Sequence, residues 1–134
     1  MDTAANKQLM INVFEAMAQG DRKPFRECMA GDVSWIFKGS TKWKGTYRGK
    51  EAVLRDLMGP LFAQFADEYT STIVRVMAEG EFAVVEAEGR VNTKAGLPYN
   101  NRYCYVFRFR EGKVVEITEY MDTALADAVL ADPR

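Results

Sequence analysis

The stretch EGKVVEITEYMD, residues 111–122, joins a glycine-containing turn to a strand pattern rich in β-branched residues. The segment after it, TALADAVL, predicts a short helix. If no bulge intervenes, strand alternation places Tyr120 and Asp122 on the same face. Asp122 then has two interpretations. It caps the following helix through the amide of Leu125, or it lies at the mouth of a pocket.

Three further strand patterns precede this stretch and are joined to it by turns. They are YTSTIVRVM, FAVVEAEGRVNTK and YNNRYCYVFRFR, separated by AEGE and AGLP. Short connections between long strands are typical of an antiparallel meander, and long strands twist. The second half of the chain therefore predicts a strongly twisted sheet.

The first half of the chain carries helical patterns. Residues 3–19 have one apolar face, formed by Leu9, Met10, Val13, Phe14 and Met17. This spacing is typical of an amphipathic helix that packs against a sheet.

Further elements follow in the same half. Asp21 can cap a second, short helix that stops at Gly31. DVSWIFK predicts a strand, and a shorter strand is expected around Thr46–Tyr47. A third helix begins at Lys50 and should bend or break near Gly59–Pro60, because proline removes a backbone donor.

Together these patterns predict an α+β fold. A curved, mostly antiparallel sheet should wrap around the N-terminal helices, as in the cone-shaped, cystatin-like α+β roll. No linker or repeat divides the chain, so residues 1–134 are expected to form a single domain. The open end of such a cone can hold a small molecule between apolar walls.

Composition excludes several classes of site. The chain has no histidine, which rules out Ser–His–Asp and Cys–His nucleophiles and histidine-based metal sites. Its 18 Lys and Arg residues nearly balance 19 Asp and Glu residues, so neither nucleic acid nor a membrane is expected as a partner. No window approaches the ~20 apolar residues of a membrane span, and the first residues do not form a signal-peptide pattern. We therefore expect a cytoplasmic protein that uses no cofactor and no metal.

Two segments carry a resemblance to a known family. YRGKEAV at Tyr47–Val53 and EGKVVEITEYMD at Glu111–Asp122, with the order of helices and strands, resemble the SnoaL-like branch of the nuclear transport factor two superfamily. The resemblance covers nearly the whole chain. It implies the cone fold, a pocket for a small molecule and homodimerisation through the convex face of the sheet. This fold hosts many activities, so the resemblance does not by itself indicate one reaction.

Ketosteroid isomerase belongs to the same superfamily, and its active site can be compared position by position. Its oxyanion-hole tyrosine would fall at Val13, its general base at Phe37 and its second hydrogen-bond donor near Tyr105. Valine and phenylalanine cannot take up a proton. The resemblance therefore implies that the isomerase mechanism is absent.

This chain retains more of the active site of the epoxide hydrolase branch. Its Arg-x-Asp pair would fall at Arg90 and Asn92, and its last-strand aspartate at Asp122. The two residues that help to hold its water would fall at Trp35 and Phe37. Asn92 cannot exchange a proton, so the complete triad is missing. Polyketide cyclases use an acid–base aspartate at a similar last-strand position, which again falls at Asp122.

The resemblance thus makes Asp122 and Arg90 the expected catalytic pair at one pocket. Arg90 has an alternative interpretation as an exposed arginine paired with a neighbouring glutamate. Trp43 is expected either as a lid over the pocket or as a surface aromatic. The expected ligand-binding residues are Trp35, Phe37, Asn92, Tyr103, Tyr105 and Tyr120.

The last strand also indicates that a second copy of the chain is the partner. Val115, Ile117 and Met121 are expected on its outer face, where apolar residues need covering, and this favours a homodimer. Two functions remain open. The first is a cofactor-independent isomerase, cyclase or hydrolase that acts on a hydrophobic small molecule by acid–base chemistry. The second is a non-catalytic ligand-binding or dimerisation module.

Overall fold

A six-stranded sheet forms the frame of the molecule in the computed structural model, which describes residues 2–133. The strands lie in the order β2-β1-β6-β5-β4-β3, and neighbours are antiparallel except for the parallel pair β1 and β6. The predicted α+β class with a curved, mostly antiparallel sheet is therefore confirmed. The strands are β1 Met29–Phe37, β2 Gly45–Arg48, β3 Thr70–Glu79, β4 Phe82–Arg90, β5 Arg102–Arg110 and β6 Lys113–Met121.

The helices pack against this sheet. Helix α1, Thr3–Ala18, contacts β3 and β4, and α2, Lys23–Cys28, contacts α1 and β1. A third helical segment consists of α3 Lys50–Ala52, a π-helical stretch Val53–Met58, and α4 Gly59–Phe62. Helix α5, Thr123–Val129, follows β6 directly. Within residues 2–133, no helix is both long enough and apolar enough to cross a membrane.

Helix α1 forms for the reason that its sequence indicates. Asp2 caps it, since its Oδ1 accepts a hydrogen bond from the Ala5 amide at 3.0 Å. Burying one side chain of the size of valine, methionine or phenylalanine stabilises a fold by about 1.5–3 kcal/mol. Packing against the sheet therefore holds α1 in place. Its buried apolar residues are Met10, Val13, Phe14 and Met17.

Two expected boundaries differ from the structure. The second helix already ends at Cys28, and Gly31 lies inside β1, where the pairing with β6 is irregular between Met29 and Ser34. The third helical segment does not stop at Gly59–Pro60 but passes there from the π-helical stretch Val53–Met58 into α4. Pro60 then falls in the first turn of α4, where a missing N–H is tolerated.

A β-bulge in β6 sets the direction of its side chains. Arg108 of β5 pairs with Glu116, but the next residue, Phe109, pairs with Val114, so Val115 has no partner of its own. The extra residue inverts the alternation beyond it. Ile117 is fully buried, and Tyr120 is 47% exposed. The expectation that Tyr120 points into the cone is therefore wrong.

Candidate functional site: an aromatic pocket around a buried glutamate

The inner face of the sheet and the helices above it enclose a pocket of about 60 Å³. Ten of its eighteen lining residues are aromatic, and six are Met or Leu. The two remaining residues, Arg22 and Glu119, carry charge-bearing groups. Since one water needs about 10–15 Å³, the space holds only a few water-sized groups until side chains move. The aromatic lining residues are Phe25, Trp35, Phe37, Trp43, Phe62, Phe65, Tyr69, Tyr99, Tyr103 and Tyr105.

Glu119 is the acidic centre of this pocket. It stands on β6 between Phe37 of β1 and Tyr105 of β5, and only 4% of it is exposed. The indole N–H of Trp35 donates a hydrogen bond to its Oε1 at 3.0 Å. Burial raises the pKa of Glu119 to about 8, although the Trp35 hydrogen bond acts in the opposite direction. At neutral pH the carboxyl group is therefore mostly protonated, and it can give up its proton without leaving the physiological range.

Four tyrosines accompany Glu119. Burial raises the pKa of each hydroxyl, and the nearby Glu119 carboxyl raises it further. The rings of Tyr103 and Tyr105 stack with centroids 5.4 Å apart. All four side chains therefore stay neutral hydroxyls, able to donate or accept a hydrogen bond. They are Tyr69, Tyr99, Tyr103 and Tyr105.

Neighbouring residues fix the positions of three of these tyrosines. The buried Asn101 donates from Nδ2 to the Tyr99 hydroxyl at 2.9 Å. Gly89 of β4 leaves space for two rings, since a Cβ there would lie 2.6 Å from the Tyr69 hydroxyl and 2.9 Å from a Tyr103 ring carbon. A side chain at position 89 would therefore displace the tyrosine group.

Trp43 forms part of the pocket wall, with only 2% of its surface exposed. Its loop is tied to α5 by Asp127, whose Oδ1 accepts hydrogen bonds from the Thr41 hydroxyl at 2.8 Å and the Lys42 amide at 3.0 Å. These hydrogen bonds hold the pKa of Asp127 below its usual value. The surface alternative for Trp43 is therefore wrong, because the tie to α5 turns the indole inward.

The sequence profile of the SnoaL-like domain matches residues 11–117. The chain belongs to the SnoaL-like family. An uncharacterized protein of Mycobacterium tuberculosis (strain H37Rv) is 25% identical over 132 residues, which cover 98% of this chain and 100% of that protein.

Solved structures share the fold of this SnoaL-like domain. A nuclear transport factor two-like protein of unknown function from Burkholderia pseudomallei superposes with a TM-score of 0.79 at 22% identity, covering 98% of this chain and 99% of that chain. A protein from Jannaschia sp. CCS1, which has been proposed to be a SnoaL-like polyketide cyclase, superposes with a TM-score of 0.77 at 17% identity. That alignment covers 98% of this chain and 95% of the other. Membership in the superfamily predicted from the sequence is thus confirmed.

Four of the predicted site residues line the pocket of the SnoaL-like domain. Trp35 and Phe37 come from β1 and stack on each other with centroids 6.2 Å apart. Tyr103 and Tyr105 come from β5. They face inward because each lies on the buried side of an alternating strand.

The expected pair of Arg90 and Asp122 does not share this pocket. Arg90 is exposed, because the inward positions on either side of it belong to Gly89 in β4 and to Val91 just after β4. Asp122 is also exposed, and its Oδ1 accepts a hydrogen bond from the Leu125 amide at 3.2 Å. The expectation that both groups project into one cavity is therefore wrong, and the capping interpretation of Asp122 is correct.

The other two predicted ligand-binding residues also lie outside the pocket. Asn92 is exposed, and both its backbone amide and its Nδ2 donate to the Asp67 carboxylate, at 2.8 and 2.9 Å. Tyr120 lies on the outer face beyond the bulge. These two side chains therefore contribute nothing to the lining.

The sequence analysis did not identify Glu119 as a pocket residue, although its apolar neighbours at spacing two indicate an inward position. Ile117 and Met121 flank it at spacing two, so it shares a face with apolar residues. We assigned that face to the outside of the sheet and expected a partner chain to cover it. In the structure Ile117 is in the core and Met121 lines the pocket, so the carboxyl between them faces inward.

Among residues 2–133, no cluster of three Cys, Asp or Glu side chains is placed to hold a metal ion.

Proposed function

We propose that this SnoaL-like domain binds a planar, hydrophobic small molecule and transfers a proton to or from it through Glu119. The observation that supports this proposal is the single carboxyl group, with a pKa raised to about 8, in a pocket whose other lining residues, apart from Arg22, are aromatic or apolar. A general acid or base works best when its pKa lies near the working pH. The reaction class is a cofactor-independent isomerisation, cyclisation or hydrolysis.

The surrounding groups suit such a proton transfer. Protonated Glu119 donates a hydrogen bond to a carbonyl oxygen of the ligand, and its ionised form accepts a proton from carbon or water. The hydroxyls of Tyr103 and Tyr105 can stabilise the negative charge that develops on that oxygen. The Trp35 N–H holds the carboxyl group in position and stabilises its ionised state. Aromatic walls favour a flat, conjugated ligand by stacking.

Deuterium exchange at carbon tests this proposal. In D₂O the α-hydrogens of 2-tetralone, a flat enolisable ketone, should exchange faster in the presence of the protein, as measured by proton NMR. Glu119→Gln should slow the catalysed exchange by at least about 100-fold, since general acid–base catalysis contributes 10²–10⁴-fold.

Two variants serve as controls for this assay. Glu116→Gln removes a carboxyl group on the opposite face of β6, and Asp122→Asn removes one outside the pocket. Both should exchange 2-tetralone at the wild-type rate. Equal rates for Glu119→Gln and wild type would contradict the proposal. Binding of 2-tetralone without any catalysed exchange would favour the non-catalytic ligand-binding module.

We also propose a homodimer through the outer face of the sheet. Paired residues form a largely apolar row across five strands there, and Met77 at its end is 54% exposed. Ile117 and Met121, which the sequence predicts on this outer face, point inward and do not contribute to the row. The row consists of Ile36, Thr118, Val106, Val84 and Met77.

Sedimentation velocity tests the dimer. Wild type should sediment at twice the 15.2 kDa mass of the chain, and Val84→Glu at the mass of the monomer, because a charge in the centre of an apolar interface is left unpaired. Ala128→Glu adds the same charge to the exposed surface of α5 and should stay dimeric. A monomeric wild type would refute this assembly.

A further inference from the structure

Arg22 occupies an unusual place for an arginine. It lies between α1 and α2, is half-buried, and lines the same pocket as Glu119. Its guanidinium carbon lies 3.8 Å from the centroid of the Phe62 ring. The neighbouring lining residues Met58, Leu61 and Phe62 are also half-buried, so Arg22 stands where the pocket approaches the surface.

The charge of Arg22 has no acidic partner among residues 2–133. The ion pairs of this part of the chain involve five other arginines, all on the exposed surface. Burial lowers the pKa of Arg22, and the like charge of Arg26 lowers it further. No carboxylate raises the pKa of Arg22 in compensation. A half-buried cation without a counter-ion is unfavourable by itself, and an anion that pairs with it would be favourable.

Phe62 covers the guanidinium carbon of Arg22 but accepts no hydrogen bond from its N–H groups. Among residues 2–133 no oxygen accepts a hydrogen bond from these N–H donors, which lie in the guanidinium plane. Two parallel donors in one plane match the two oxygens of a carboxylate. The aromatic contact thus prepares Arg22 for a planar anion rather than for a single hydroxyl.

We propose that the ligand of this pocket is an aromatic or conjugated carboxylic acid whose carboxylate pairs with Arg22 while its ring system lies among the aromatic side chains beside Glu119. The inference rests on the proposed function of the pocket as a small-molecule site. It adds the charge and the orientation of the ligand. A cationic ligand is disfavoured, because in this pocket it would lie close to the positive charge of Arg22.

Three probes of nearly the same size and shape test the charge preference. They are trans-cinnamate, its neutral amide trans-cinnamamide, and cinnamylammonium, each titrated into the full chain at pH 7 by calorimetry. Cinnamate should bind at least about tenfold more tightly than the amide, because a hydrogen-bonded charge pair is worth more than a neutral contact. Cinnamylammonium should bind most weakly. Both tryptophans of the chain line the pocket, so a change in their fluorescence locates each bound probe there.

Variants of Arg22 assign the preference to this residue. Arg22→Gln should bind acid and amide equally, and Arg22→Lys should retain part of the preference. Arg26→Gln removes the same charge from a residue outside the lining and should keep the wild-type preference. If Arg22→Gln fails to fold, the wild-type series and Arg22→Lys still decide the question.

The outcomes separate this inference from the proposed function. Equal binding of acid and amide by wild type, or tightest binding of the ammonium probe, would overturn the role of Arg22 and leave the pocket as a ligand site. An unchanged preference in Arg22→Gln would do the same. Failure of all three probes to bind would refute the inference, and the 2-tetralone exchange assay would still test Glu119 independently.

Discussion

Glu119 and Asp122 lie three residues apart at the end of the same strand, yet their environments are opposite. Glu119 is buried against Trp35, and burial raises its pKa to about 8. Asp122 is exposed and accepts a hydrogen bond from the backbone of α5. The two carboxyl groups have nearly the same chemistry. The difference shows that strand direction and local register, rather than residue type, decide which acid faces the pocket.

The register that β6 keeps beyond the bulge at Val115 creates this difference, so a change of that register should have the largest effect. Deleting Thr118 turns Glu119 to the outer face and Tyr120 to the inner face, or else displaces the buried Ile117, because successive residues of a strand alternate between faces. We expect a loss of about 5 kcal/mol or more in the free energy of unfolding, measured by urea denaturation. The substitution Thr118→Ala keeps the register and should lose less than about 1.5 kcal/mol, since Thr118 is only half-buried. Equal effects of the deletion and the substitution would contradict the importance of register.

The second expected effect is a pH dependence of stability that comes from Glu119. Its pKa is about 8 in the folded state against an ordinary 4.5, so the unfolded chain releases this proton at lower pH. The stabilisation is fully present below about pH 4.5 and is lost as the pH rises to about 8. A shift of this size corresponds to roughly 4–5 kcal/mol. Urea denaturation of wild type at pH 5 and pH 8 should show the decrease.

Variants of the two acids sharpen this measurement. Glu119→Gln should remove most of the decrease between pH 5 and pH 8, and Asp122→Asn should retain it. The groups that face Glu119 in the pocket are the four tyrosines and Arg22, and none of them changes its charge in this range. A wild-type stability that does not change between these pH values would show that the Glu119 carboxyl is not desolvated.

The smallest effect is expected at Asp122. Asp122→Ala removes the cap of α5 and should lower the free energy of unfolding by about 1 kcal/mol. Asp122→Asn keeps an acceptor oxygen and should be nearly neutral, since asparagine caps helices as well as aspartate does. Thermal unfolding measures both changes. A loss of several kcal/mol from Asp122→Asn would give this residue a larger role than capping.

The sequence allowed the fold to be predicted, because its signals are periodic and local. The apolar face of α1 and the long strands β3 to β6 repeat a pattern over many residues, and short turns connect the strands. The same alternation places Trp35 and Phe37 on one face of β1, and Tyr103 and Tyr105 on one face of β5. A pattern of period two predicts a face correctly as long as the strand is regular.

The rest of the site depends on features without a periodic signal. One unpaired residue in β6 exchanged the faces of Glu119 and Tyr120, and no pattern in VVEITEY marks it. Trp43 is buried because Asp127, far away in the sequence, holds its loop. Arg22 looks like an ordinary polar residue between two helices until Phe62 is brought against it. Such contacts arise only from tertiary structure.

The parallel pairing of β1 with β6 also has a consequence for the order of events during synthesis. The strand that carries Trp35 leaves the ribosome long before the strand that carries Glu119, and the hydrogen bond between them spans 84 residues. Until β6 emerges, β1 has only the short strand β2 as a neighbour. The centre of the sheet therefore closes late, as expected for contacts distant in sequence, and the pairing edge of β1 stays open until then.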